Sequence, residues 1–259
     1  MSTVELMEYC VMALFKTKNL LSVSADAKTI KGEKMGYLTG ILYLAPNDLS
    51  GFQVCAKATD GCKKACLYTS GQGRFSNVQQ ARINKTRWFF LHRVSFMAQM
   101  VKNIKSLIRK ALKGNMIPVV RLNGTSDIPF EKIKCVRNGV TYNSPMEAFS
   151  DIQFYDYTKI LGRKKVDTLP NYHLTFSMAE SNDDDCLTAL ANGLNVAVVM
   201  AVGKNTPKPK TWKGYPVVDG DKNDLRFLDS TNGGHIVSLY AKADAKKDTS
   251  GFVRKANCE

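Results

Sequence analysis

The chain has 259 residues, 44% of them hydrophobic, and a formal charge of +14. That length suits one large domain or two small ones with a sizeable core. No run of apolar residues is long enough to span a bilayer, and the start, MSTVELMEYCVMALF, carries Glu5 and Glu8 where a secretory signal would be basic, so a soluble, cytoplasmic protein without a membrane partner is expected.

In chain order, residues 3–16 read as a short helix within an N-terminal helical extension (1–35), and 36–259 as a single α/β domain. GYLTGILYLAP (36–46) has the β-branched and aromatic content of a strand closed by proline. From about Val78 to Lys113, apolar residues recur at three- and four-residue steps (Ile83, Phe90, Val94, Met97, Val101, Ile104, Ile108, Leu112), which predicts one long amphipathic helix or two, stopped by Gly114. Strands are expected at 116–124, 152–158, 172–178, 195–202, 215–221 and 234–242, with a short helix near 144–150. A further helix over 183–193 has acidic residues in its first turn. Strands alternating with helices predict an α/β fold built on a largely parallel sheet. Several connections are too short for a full helix, so an incomplete (β/α) barrel is expected, with a cysteine loop after its first core strand.

In such folds ligands bind beyond the carboxyl ends of the strands, and those ends are polar here. Strand 116–124 runs into Asn123, Ser126 and Asp127. Strand 152–158 carries Asp156 and ends at Lys159. Strand 172–178 carries His173 and Ser177, and 215–221 ends at Asp219 and Asp221. Each has a structural alternative as a turn cap, a paired carboxylate or a core histidine.

VCAKATDGCKKACLYTSGQGR (54–74) places Cys55, Cys62 and Cys66 within twelve residues; the other four cysteines are scattered singly. Three neighbouring thiolates repel one another unless a cation lies between them. A disulfide would use only two. Structural zinc asks for a fourth protein ligand, for which Cys135, His92 or His173 could serve. A [4Fe–4S] cluster on three thiolates would keep one iron open to an outside ligand. Ordinary free thiols are the remaining reading.

Between Gly61 and Ser126 there is no Asp or Glu, against thirteen Lys and Arg. Such one-sided charge suits a polyanionic partner, with Arg74, Arg82, Lys85 and Arg87 as candidate phosphate contacts for a nucleotide or nucleic acid. A solvated basic face is the alternative.

LSGFQVCAKATDGCKKACLYTSGQGR, ARINKTRWFF, VRLNGTSDIPFE, QFYDYTK, NYHLTFSMAE, GYPVVDGDKNDLRFLD and AKADAKKDTSGF resemble a family of uncharacterised phage and phage-associated bacterial proteins, from about Gly40 onward. More distantly, the order of first strand, three-cysteine loop and long helix is similar to that of radical S-adenosylmethionine enzymes. The spacing here is C-x6-C-x3-C, where those enzymes have C-x3-C-x2-C. That resemblance implies a [4Fe–4S] cluster on Cys55, Cys62 and Cys66, with S-adenosylmethionine at the open iron. Asn123, Ser126, Asp127 and Ser177 would bind the cofactor, while Asp156, Lys159, His173 and Asp221 would position substrate and move protons. Two rival functions remain. One is Mg²⁺-dependent phosphoryl transfer or nuclease work on Asp127, Asp156, Asp219 and Asp221, with zinc on the thiols. The other is a metal-stapled binding protein that presents a basic face to nucleic acid or inhibits a host protein.

Overall fold

A computed structural model describes residues 15, 17–24, 27–163, 168–203, 206–230 and 234–256. The helix expected over 3–16 lies outside them except for Phe15. Nine strands form one sheet in the order β1-β2-β3-β6-β7-β8-β11-β10-β9. These are β1 (Leu21–Val23), β2 (Tyr37–Leu42), β3 (Ile117–Arg121), β6 (Gln153–Thr158), β7 (Tyr172–Ser177), β8 (Val196–Met200), β9 (Thr211–Trp212), β10 (Tyr215–Asp219) and β11 (Ile236–Tyr240). Every pairing from β2 across to β10 is parallel, and only the edge strands β1 and β9 pair antiparallel. The fold is therefore α/β with a large, mostly parallel sheet, and β1 and β9 leave it open. The sequence predicted its seven parallel strands and missed both edges. It also missed the hairpin of β4 (Cys135–Arg137) and β5 (Val140–Tyr142), which forms a separate small sheet.

Alternation along the strands sorts side chains onto two faces. One face carries Leu38, Leu42, Val120, Leu122, Phe154, Tyr172 and Leu174, and buries them against the helices that follow β2. The long helical stretch is two helices, α3 (Ser76–Leu91) and α4 (Arg93–Lys113), after α1 (Ala27–Glu33) and α2 (Asp60–Lys64). The break falls at His92, whose φ of −137° and ψ of 59° are not helical. It re-phases the apolar stripe. Phe96, Met97, Met100, Val101, Ile104, Leu107 and Ala111 face the sheet, whereas Val94 and Leu112, expected in the stripe, are exposed. At Gly40 the α4 helix comes so close that a Cβ would sit 2.8 Å from Leu107 Cδ2. Two short helices complete the set, α5 (Pro145–Ala148) and α6 (Asp183–Ala191).

On the opposite face Val119, Tyr155 and Leu225 form a small cluster with Tyr37 and Phe227. Leu225 and Phe227 belong to the segment after β10, which thus lies over the middle strands. Lys31 of α1 donates to Asp221 O at 2.8 Å, bridging the two ends of the sheet across this face.

A buried polar network ties the carboxyl end of β3 and the middle of β6 to the first residue of β7. Asp156 accepts from Asn123 N (2.7 Å), Asn123 Nδ2 (3.1 Å) and the Tyr172 hydroxyl (3.0 Å). Arg163 donates to Tyr172 Oη (3.0 Å), pairs through two nitrogens with Glu131, and reaches Asp127 at 3.3 Å. Removing Glu131 would leave the Arg163 cation buried with only part of its counter-charge. Glu131→Ala is expected to cost about 3–5 kcal/mol in urea unfolding; a loss near that of an exposed charge, within about 0.5 kcal/mol, would show the pair to be dispensable.

Candidate functional site at the cysteine rim

The loops that follow the parallel strands meet at one rim. After β2 the chain turns back through Asn47, whose carbonyl accepts from Val54 N at 2.9 Å. Val54 O in turn accepts from Asp127 N at 2.8 Å, which joins the loops after β2 and β3. The Cys55 thiol donates to Thr125 O at 3.7 Å. Cys62 lies in α2, whose N-terminus is held from the end of β7. Glu180 accepts from the Thr59 hydroxyl at 2.6 Å and from Gly61 N at 2.7 Å, and the Thr59 oxygen accepts from Cys62 N at 3.3 Å. Gly61 has no room for a side chain, since a Cβ would sit 2.1 Å from Ser250 Oγ. Cys62 packs with Ala65, Ala179, Ala241, Ala245 and Phe252, so the C-terminal segment backs the helix. Cys66 ends the motif beside Tyr68 and Arg82.

All three thiols are free and half-buried. They lie close enough for their charges to act on one another. Burial pushes the Cys55 thiol up to about 11, and the Cys66 and Cys62 charges push the same way. Burial also raises Cys66, against a lowering pull from Lys159 and Arg82. Among the described residues, no three His, Cys, Asp or Glu side chains are arranged to hold a single metal ion.

Lys159 shares this rim. Its backbone N donates to Asp127 Oδ2 at 2.8 Å, and its Nζ lies 3.3 Å from Ser177 Oγ. The cysteines, Ser126, Asp127, Lys159 and Ser177 are thus brought together as expected. Asn123 and Asp156 sit beneath the rim. Both are buried. Asn123 Oδ1 accepts from Ser126 Oγ (2.8 Å) and Ile128 N (2.8 Å), and its Nδ2 donates to Ile128 O (2.9 Å) as well as to Asp156. Their polar atoms serve the fold. His173 stands four residues before Ser177, about 13 Å down the strand, and Asp221 is paired with Lys208 (3.1 Å) and Lys242 (3.5 Å) at the end of β10. The four carboxylates weighed for Mg²⁺ are thus divided between two places, and two of them, Asp127 and Asp221, are paired with an arginine or lysines.

The chain matches the family described as Gene product 88 over residues 12–256. It belongs to that phage-associated family. No curated protein and no solved structure matches it.

In this Gene product 88 chain the basic stretch does not form one face. Arg82 and Lys85, expected on a phosphate-binding surface, are buried. Arg82 lies over the rings of Tyr43 and Tyr68, and Lys85 donates to Leu20 O at 2.9 Å. Both sit at three-residue spacing on the stripe that also carries Phe89, a signal the sequence offered. Arg74 and Arg87 are exposed, as are Lys57, Lys63 and Lys64 beside the cysteines. Lys102, Arg109, Lys110 and Lys113 point outward from α4 instead. The role of Glu180 as an anchor of α2 was also missed. No described helix is long and apolar enough to cross a membrane.

His173 packs on the face opposite the helices, where burial and the nearby Arg226 charge push it down from 6.5 to about 4. The unfolded chain therefore takes up a proton before the folded one does. Stability from this group is complete above the unfolded value and is lost as pH falls through 6.5 towards 4. Between about pH 7 and pH 4, His173→Gln is expected to lose roughly 3 kcal/mol less than the parent in urea unfolding. Equal losses would mean that His173 titrates like a free histidine.

Proposed function

We propose that the rim is a metal centre in which Cys55, Cys62 and Cys66 hold an iron–sulfur cluster, and that the chain is a cytoplasmic phage metalloenzyme acting on a nucleotide or nucleic acid. The observation that carries this reading is the gathering of three free thiols at the carboxyl rim of a parallel sheet, with cations on the Cys66 side and, among the described residues, no fourth thiol or imidazole beside them. Cys135 is buried in the main core, His92 packs edge-on against Phe15, and His173 lies well below the rim. A closed four-ligand zinc site is therefore the weaker fit, and a cluster with one open iron the stronger. We read the sheet, bridged end to end by Lys31 and Asp221, as an opened barrel.

Bound there, the cluster would supply reductive cleavage of S-adenosylmethionine. The protein's own part is to hold the thiols, to offer Ser126, Lys159 and Ser177 to the polar portions of a ligand, and to keep Asp127 fixed by its bonds to Lys159 N and Arg163. Exposed Lys57, Lys64 and Arg74 would take phosphates, and exposed Phe75, beside Arg74, would take a stacked base.

Anaerobic reconstitution with ferrous iron and sulfide tests the centre. About four irons and four sulfides per chain are expected, together with broad visible absorbance. Alanine at Cys55, Cys62 or Cys66 should abolish both, whereas alanine at Cys135 or Cys186 should not. Uptake of zinc alone, or of no metal, would overturn the reading.

The partner is tested separately. Replacing Lys57, Lys64 and Arg74 together by Ala should flatten the log–log salt dependence of single-stranded nucleic-acid binding by about two. An unchanged slope would remove nucleic acid from the proposal.

A further inference from the structure

Arg82 and Lys85 are one turn apart on α3, and both are buried, Arg82 at 8% exposure. Neither has a carboxylate partner among the described residues. Arg82 Nη1 reaches only the Tyr68 carbonyl, at 3.4 Å, and its Nε has no hydrogen-bond partner. The guanidinium is held between two rings, 4.8 Å from the centre of Tyr43 and 5.5 Å from that of Tyr68. Gly73 keeps that place narrow, because a Cβ there would sit 3.0 Å from Arg82 Nη1 and 2.2 Å from Tyr68 O. Elsewhere in this protein buried arginines are matched: Arg121 meets Asp224 at 2.8 Å, and Arg163 meets Glu131 and Asp127. Burying a cation without an anion is unfavourable. Tyr68, whose ring and carbonyl hold the guanidinium, stands two residues after Cys66, and a charge on the Cys66 sulfur acts on Arg82.

Resting on the metal-centre reading above, we infer that Arg82 is the built-in counter-charge of the three-cysteine site: clamped between Tyr43 and Tyr68 beside Cys66, its guanidinium neutralises the thiolates once they carry metal. It is a positioning residue rather than a ligand. Metal binding replaces thiol protons and leaves negative charge on the sulfurs, and the anion missing around Arg82 is then supplied by the loaded site. Arginine suits the place better than lysine, because a flat guanidinium stacks on rings while it keeps its charge.

The test compares wild type, Arg82→Lys and Arg82→Met, each without metal and after anaerobic loading with ferrous iron and sulfide. In Arg82→Met no ion pair is broken, so the metal-free protein should melt at or above the wild-type temperature. Its iron content after loading should fall several-fold, and the midpoint potential of the cluster that remains should move to a more negative value, since a neighbouring positive charge favours the reduced, more negative form. Arg82→Lys should keep most of its iron. A metal-free Arg82→Met that melts well below wild type overturns the inference, because the cation would then serve the fold. Wild-type loading with an unchanged potential in Arg82→Met overturns it and leaves the metal centre standing. A wild-type chain that takes up no iron overturns both.

Discussion

Everything at the rim hangs on a carboxylate buried where no carboxylate would sit unaided. Asp156 is wholly enclosed, and burial pushes it up to about 6 even though Arg121, Asn123, Arg163 and Tyr172 pull the other way. A buried charge is tolerable only when its lone pairs are filled, and three donors from two neighbouring strand ends fill them. The Tyr172 hydroxyl passes the connection to Arg163, and Arg163 to Glu131 and Asp127. Asp127 is bonded through its backbone to Val54, the residue before Cys55. A continuous run of hydrogen bonds thus leads from the core of the sheet to the first thiol. Such a network is costly to disturb at any member, and it fixes the loops after β2, β3 and β6 relative to one another.

The second and third thiols are fixed from the other side. Glu180 holds the N-terminus of α2, where the exposed N–H groups and the helix dipole favour a carboxylate. Ser250 closes over Gly61, and Phe252 packs under Cys62. The C-terminal segment is itself anchored, since Arg254 donates to Ala179 O at 2.7 Å and to Asp183 at 2.6 Å. The motif is therefore clamped between two independent sets of contacts, one running through β3 and β6 and the other through β7 and the C-terminus. Apart from the Cys55 thiol's bond to Thr125 O, the hydrogen bonds of both sets are made by other groups. The sulfur atoms are positioned by groups that keep their bonds whatever the thiols carry.

How far the sequence disclosed this follows from what each signal measures. Runs rich in β-branched and aromatic residues located the seven parallel strands, and 195–202 is apolar throughout, as a strand covered on both faces is. The two-residue β9 and three-residue β1 carry too few residues for a pattern. The β4–β5 hairpin was legible but passed over: Asn138-Gly139, both at positive φ, form a two-residue turn between Cys135–Arg137 and Val140–Tyr142. The convergence of strand-end residues was legible from topology alone, because parallel strands end on the same side. Which of those residues face outward was not, because Asn123 and Asp156 have the composition of a site and the hydrogen bonds of a core. Arg82 and Lys85 were misread for a related reason. Charge in a helix is ordinarily solvent-facing, and only their shared phase with Phe89 argued otherwise.

The asymmetry of charge around the three thiols bears on what the site can hold. Arg82 and Lys159 lower Cys66, whereas the nearest ionisable groups around Cys55, which are Cys66, Cys62 and Asp127, all raise it. At neutral pH Cys55 is a neutral thiol, and its proton must leave before the sulfur can bind metal. A single small cation would have to draw all three thiolates close together, against their repulsion and with compensation on one side only. A larger charge-spreading group would let the sulfurs stay further apart and would place its negative charge toward Arg82 and Lys159. The electrostatics of the rim thus favour a group that spans the site from the neutral Cys55 end to the cationic Cys66 end, and this is why the proposed centre is a cluster rather than an ion.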